Sequence, residues 1–383
     1  MAAKPWIIAL LAAWLPLASP SSAQAAVPTV RWTFGADGAL WGSPTLAGKT
    51  LYFGSDSGTV YALDVSRHVP RWTFRTGGKV RARPLLADGK LFVASDDGVL
   101  YALDQATGKP AWTLDLHSGD LCRRLPSPDN PFYDYKASSP VFADGKVFVG
   151  TAGARLYAID ATTGKPAWIA GANDMFRATP VVTDGVVYIG SWDHALYAFD
   201  AASGKALWHY DTGGIVQSTA ALGAGRLVVG SRSHKLFALD PKRGKPVWIA
   251  DNASGSWVES SATYAGGLFL VGSSDDLALK AYDPADGRLR WSFATGGWTW
   301  ATPVLADGTV YIGAVSASPY YVPGITLQRG LFAVDARTGK ARWHLPTGTI
   351  HGYVTGGVMG TPAVGRDTLY ATALDGNVYA IAR

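Results

Sequence analysis

An all-β propeller of eight four-stranded blades, closed into a ring, is the fold this sequence predicts. Three observations predict it. A twelve-residue motif ending in tryptophan recurs about every 40 residues, each repeat carries four short β-rich runs, and the two ends of the chain hold complementary fractions of one repeat.

The motif reads "YALDQATGKPAW" at 101–112, "YAIDATTGKPAW" at 157–168, "YAFDAASGKALW" at 197–208, "FALDPKRGKPVW" at 237–248, "AYDPADGRLRW" at 281–291 and "FAVDARTGKARW" at 332–343, with a worn copy, "YALDVSRHVPRW", at 61–72. Its tryptophans are Trp32, Trp72, Trp112, Trp168, Trp208, Trp248, Trp291 and Trp343, spaced 40, 40, 56, 40, 40, 43 and 52 residues apart. Eight such units override the two or three domains that 383 residues would suggest by length. The tryptophan position reads as packing between blades, because a ligand has no use for eight equivalent copies and losing a large buried ring costs roughly 3–5 kcal/mol. The glycine of Thr-Gly-Lys supplies a tight turn, and the aspartate can accept backbone N–H bonds within it.

Within one repeat, "TPVVT", "VVYIGS", "ALYAFD" and "KALWHY" (179–210) read as strands A, B, C and D, separated by Asp-Gly, a polar turn and Ser-Gly-Lys. The chain opens with a lone D strand, "TVRWTF" (29–34), and closes with A, B and C strands, "GTPAV", "TLYATA" and "NVYAIAR". Joining the ends completes an eighth blade and removes the sheet edges an open array would expose. One propeller domain over 26–383 follows.

Residues 1–25 read as a signal peptide: Met1–Lys4 is a short positive start, Pro5–Leu17 an apolar run, and Ala23-Gln24-Ala25 a small-residue cleavage site. The expected product is periplasmic or secreted, a monomer without a transmembrane segment, since no run approaches 18 apolar residues. Cys122 is the only cysteine, so a disulfide framework is excluded. The net charge of +5 comes from interspersed acids and bases, which argues against nucleic-acid binding. The seven histidines show no metal-ligand spacing, and neither a Gly-x-Ser-x-Gly elbow nor a P-loop occurs.

The sequence Ala-x-Asp-x-x-Thr-Gly-Lys-x-x-Trp resembles the signature of the PQQ-type repeat family over nearly all of 26–383. The resemblance implies an eight-bladed propeller with each signature tryptophan docked between neighbouring blades. That family includes quinoprotein dehydrogenases, BamB-like propellers of the outer-membrane β-barrel assembly machinery, and binding modules without chemistry, so the fold leaves function open.

Function is expected where the repeats differ and face one way. Alternating strand direction puts the D-to-A and B-to-C connections on one face, and insertions at 114–137, 314–329 and 344–358 all fall there. Their aromatics, Phe132, Tyr133, Tyr135, Tyr320, Tyr321 and Tyr353, are the expected partner anchors. A second variable set lies three residues before the strand-A proline, or before the alanine replacing it: Trp41, Arg81, Ala137 with Lys136 beside it, Arg177, Gln217, Glu259, Trp300 and Met359, with Trp298 close by. These should line the mouth of the central channel. On one reading they pair across a wet channel, with Glu259 neutralising Arg177 or Arg81. On the other they form a ligand pocket, in which guanidinium groups fork onto carboxylates, indoles stack on a planar ring and an acid holds a hard cation.

For the ligand, the family resemblance implies PQQ with calcium: Arg81, Lys136 and Arg177 on the carboxylates, Glu259 on the metal, and Trp300 or Trp298 against the quinone. The sequence departs from the dehydrogenase pattern in lacking an adjacent Cys-Cys pair, an additional acid in the ring, and a Cys-x-x-Cys-His haem site. The expected function is therefore an exported, non-catalytic, BamB-like propeller that needs no cofactor and binds an envelope protein partner or small ligand through the insertion-bearing face. The alternative is a small PQQ-dependent oxidoreductase of the alcohol or sugar dehydrogenase type.

Overall fold

The computed structural model describes residues 26–116, 133–252, 255–320, 322 and 324–383. Eight antiparallel sheets are arranged as the repeats predict. Blade 1 consists of Thr45–Ala47, Thr50–Gly54, Thr59–Asp64 and Val69–Arg75, in the order A-B-C-D. The pattern recurs through blade 7, Val304–Ala306, Thr309–Ala317, Gly330–Asp335 and Ala341–Leu345. Blade 8 takes A, B and C from Ala363–Val364, Thr368–Thr372 and Asn377–Ala382, and its D strand is Val30–Gly35, with Phe34 opposite Val378. The ring thus closes on its own N-terminal strand. Strands B and C are almost wholly buried because neighbouring blades cover both their faces, whereas the outer D strands alternate between exposed and half-buried residues.

Each signature tryptophan docks on the C-to-D turn of the next blade. Trp72 donates its indole N–H to the Gln105 carbonyl at 3.1 Å, and Trp112, Trp168, Trp208, Trp248 and Trp291 repeat the bond to Ala161, Ala201, Pro241, Pro284 and Ala336. The glycine of Thr-Gly-Lys lies flat beneath that ring. At Gly204 φ is +73°, and an added Cβ would stand 2.6 Å from the Trp168 ring, so the turn needs glycine for its conformation and for its contact. In the worn copy His68 takes the glycine's place at φ 60° and meets Trp32 ring to ring at 4.6 Å. Trp343 faces blade 8, where the chain ends replace the C-to-D turn, and it bridges Ala26 instead.

The innermost strands are laced across blades by the serine or threonine before the proline. The backbone N–H groups of Arg83, Ser139, Thr179, Thr219 and Thr361 donate to the hydroxyls of Ser139, Thr179, Thr219, Ser261 and Ser43 respectively, at 2.8–3.2 Å. The insertion at 314–329, expected as a loop, begins as strand: strand B of blade 7 runs on to Ala317 and pairs with Val354–Gly357 from the insertion at 344–358. Backbone bonds in both directions tie Val315 to Trp298. The residues of 314–317 include no glycine or proline, so the strand continues where its sequence allows.

Candidate functional site: the channel mouth and the cleft beside it

The predicted ring residues each stand four positions before strand A, and a repeated backbone bond sets their height. In seven blades the residue that opens the B-to-C hairpin donates its N–H to the carbonyl two positions before a ring residue: Asp56 to Ala39, Asp96 to Lys79, Trp192 to Met175, Arg232 to Ile215, Ser274 to Trp257, Val315 to Trp298 and Leu374 to Gly357, at 2.8–3.1 Å. These hairpin residues form a second ring, overlooked in the sequence although they vary at a fixed place after strand B.

The second ring and the insertion at 114–137 supply the missing counter-charges. Arg81 binds Asp56 in bidentate fashion at 2.8 and 2.6 Å and lies over the Trp41 ring at 4.5 Å. Arg177 pairs with Asp134, from the insertion, at 2.5 Å. Glu259, expected to neutralise Arg177 or Arg81, instead accepts from Arg232 Nε on one oxygen and from the Tyr135 hydroxyl on the other. The physical reason is proximity: Asp56 and Asp134 already occupy those two arginines. Lys136 donates to the Glu259 carbonyl at 2.5 Å, and burial pulls its ammonium down to about 8 even though the Glu259 charge raises it. The Lys136 side chain keeps some surface inside the channel, yet protein surrounds its ammonium. Burial, with the adjacent Glu259 charge, pushes the Tyr135 hydroxyl well up. Arg232 lies over Trp257 at 4.6 Å and Trp192 at 5.4 Å, which accounts for two tryptophans outside the repeat motif.

The aromatics form one stack. Tyr135 lies on Trp300 at 4.4 Å, Trp300 on Trp298 at 4.6 Å, and Tyr133 meets both indoles edge-on. Trp298 donates to Asp275 at 3.0 Å and Trp300 to Ser274 at 3.2 Å. Trp41 and Met359 join this cluster, and Tyr320 and Tyr353 pack at its edge. Of the expected partner anchors, Tyr135 is buried at 2 %, so it is part of the plug and not of a surface; Tyr133, Tyr320 and Tyr353 keep accessible surface; Phe132 and Tyr321 lie outside the described residues.

As placed, these residues do not fit PQQ and calcium. Both faces of Trp300 are covered, Trp298 is stacked and capped, Arg81 and Arg177 hold protein carboxylates, and both oxygens of Glu259 accept protein donors. Among the described residues no three His, Cys, Asp or Glu side chains gather as a metal site.

A cleft of about 560 Å³ opens beside the plug on the insertion-bearing face. Trp41, Ile350, Tyr353 and Leu374 give its lining an apolar part, and Asp37, Asp375 and the Asp56–Arg81 ion pair a polar one, with Arg75 3.7 Å from Asp37. Burial would raise the Asp37 carboxyl, but hydrogen bonds from Ser57, Thr59 and Ser55 outweigh it and hold it at about 2. It is therefore an anion throughout the physiological range.

The family model described as outer membrane protein assembly factor BamB matches residues 24–134, 134–261 and 251–383. No curated protein matches the chain. Among solved structures, BamB from Moraxella catarrhalis is 17% identical, with 93% of this chain and 88% of that one covered and a TM-score of 0.62. A europium-containing methanol dehydrogenase is 18% identical, with 90% and 84% covered and a TM-score of 0.69. The quinohemoprotein alcohol dehydrogenase of Comamonas testosteroni is 17% identical, with 92% and 76% covered and a TM-score of 0.68. At these identities the structural likenesses bear on the fold alone.

Proposed function

The chain belongs to the family of the outer membrane protein assembly factor BamB, and from that premise we propose that it is an exported, non-catalytic propeller that binds an envelope protein partner through its insertion-bearing face. The observation that carries this reading is the cleft of about 560 Å³, whose lining sets Trp41, Ile350, Tyr353 and Leu374 beside the carboxylates of Asp37 and Asp375. That chemistry suits an extended partner segment that places an apolar side chain against Tyr353 and a lysine or arginine against Asp37 or Asp375. The plugged mouth supports the same reading, because its charges and aromatic faces are spent on one another and hold the insertions in place. The oxidoreductase reading would require arginines and an indole face turned to a ligand.

A photo-crosslinker at position 353 in cells tests the proposal. One defined envelope partner should be trapped, and Asp37→Asn with Asp375→Asn should weaken capture; a crosslinker at Leu207, on the outer rim, should trap nothing. Recovery of the uncrosslinked chain alone would defeat it. Saturable PQQ binding that requires Glu259 and Arg177, with dye-linked alcohol oxidation, would replace it by the alternative.

A further inference from the structure

Beneath the aromatic plug, the central channel holds a cavity of about 100 Å³ whose lining includes Arg81, Arg83, Lys136 and Arg177 but no carboxylate. Arg81 and Arg177 point their charge at Asp56 and Asp134, and Lys136 at the Glu259 carbonyl. Arg83 differs. It occupies a position where the other seven blades place serine or threonine, it makes no ion pair among the described residues, and its one side-chain bond is from Nε to Thr45 Oγ1 at 3.1 Å. It is exposed and lines the cavity, so a solute in the channel can reach it.

The rest of the lining offers donors without acceptors. The hydroxyls of Ser43, Ser139, Thr179, Thr219 and Ser261 each accept a backbone N–H from a neighbouring blade, which leaves the O–H of each as a donor with no protein acceptor. Arg81 Nη1 has no hydrogen-bond partner among the described residues. Water can fill a polar cavity of this size, but a guanidinium with no counter-charge inside a ring of O–H groups is better satisfied by an anion that accepts several hydrogen bonds at once.

We propose that the channel binds one small oxyanion, of the phosphate or carboxylate class, on Arg83 and the hydroxyl ring. Because Tyr135, Trp300 and Trp298 close the mouth, the anion enters from the face that carries the A-to-B turns, opposite the partner cleft. The site is independent of the partner-binding reading.

Titration calorimetry of the mature protein at constant ionic strength, with sodium phosphate and sodium acetate as separate probes and chloride as the reference, tests it. One saturable site per chain for either oxyanion is expected, and the stronger probe identifies the source chemistry. Arg83→Gln should weaken binding at least tenfold, Thr179→Val by a few fold, and Lys205→Gln, exposed on the outer rim, not at all. Arg83→Lys, which keeps the charge, should retain part of the affinity. Absence of saturable binding, a chloride effect equal to that of the oxyanions, or unchanged binding in a folded Arg83→Gln protein would overturn the proposal; should that variant not fold, unchanged binding in Thr179→Val would do so.

Discussion

Replacing Glu259 with glutamine separates a structural carboxylate from one held for a ligand. Glu259 is 1 % exposed, Arg232 donates to one of its oxygens and Tyr135 to the other. Glutamine keeps the shape, and its amide can meet Arg232 with the oxygen and Tyr135 with the nitrogen, since a phenol oxygen can accept as well as donate. What is lost is the carboxylate charge that the Arg232 guanidinium, 6 % exposed, meets at Nε. Breaking a buried pair in this way costs about 3–5 kcal/mol. The indoles of Trp257 and Trp192 offset part of that, on the order of 1 kcal/mol. A net loss of about 3 kcal/mol in a chain of this size lowers the melting temperature by roughly 4 °C. Calorimetry or denaturant unfolding of the mature protein measures it, with Arg232→Met and the double variant completing the cycle. The double variant should recover most of the loss, because removing both charges leaves no orphan. A Glu259→Gln protein that melts with or above the parent would refute the reasoning, as would a double variant whose loss equals the sum of the singles.

Two other perturbations follow from the blade joint and the channel. Gly204→Ala and Gly185→Ala both force alanine to φ +73°, at a cost of about 1–2 kcal/mol, but Gly204 also drives a methyl to within 2.6 Å of the Trp168 ring while Gly185 has nothing within 4 Å; urea unfolding should show Gly204→Ala the less stable by roughly another 1–3 kcal/mol, and equal losses would contradict the docking role of the turn. Burial lowers the Lys136 ammonium from 10.5 to about 8, so the unfolded chain holds that proton more tightly and the charge weighs against folding fully below pH 8 and not at all above about 10.5. Lys136→Met should therefore stabilise by about 2 kcal/mol at pH 7, an advantage that melts taken from pH 7 to 10.5 should see disappear; a constant difference would rule out titration as its source.

Much of the fold was legible in the sequence, because a propeller repeats its own nearest-neighbour contacts. Trp168 must meet a turn from the next blade, and the same turn chemistry recurs at Gly204 because the same contact recurs. Closure was legible too, as Val30–Gly35 could pair only with a blade that lacked its D strand. The ring at Trp41, Arg81, Arg177 and Glu259 could be found as an offset from the proline, but its pairing could not. The counter-ion of Arg177 sits in an insertion, at Asp134, and that of Glu259 sits in another blade's hairpin, at Arg232.

The sequence by itself determined the blades, their number and the position of the variable residues, since these depend on strand period, turn chemistry and contacts between adjacent repeats. Only the tertiary structure decided what those residues do: which carboxylate meets which arginine, that Tyr135, Trp300 and Trp298 stack into a plug, and that Arg83 below it meets no carboxylate among the described residues. Those outcomes depend on distances across the channel and on which neighbours reach a charge first, and neither quantity leaves a period in the chain.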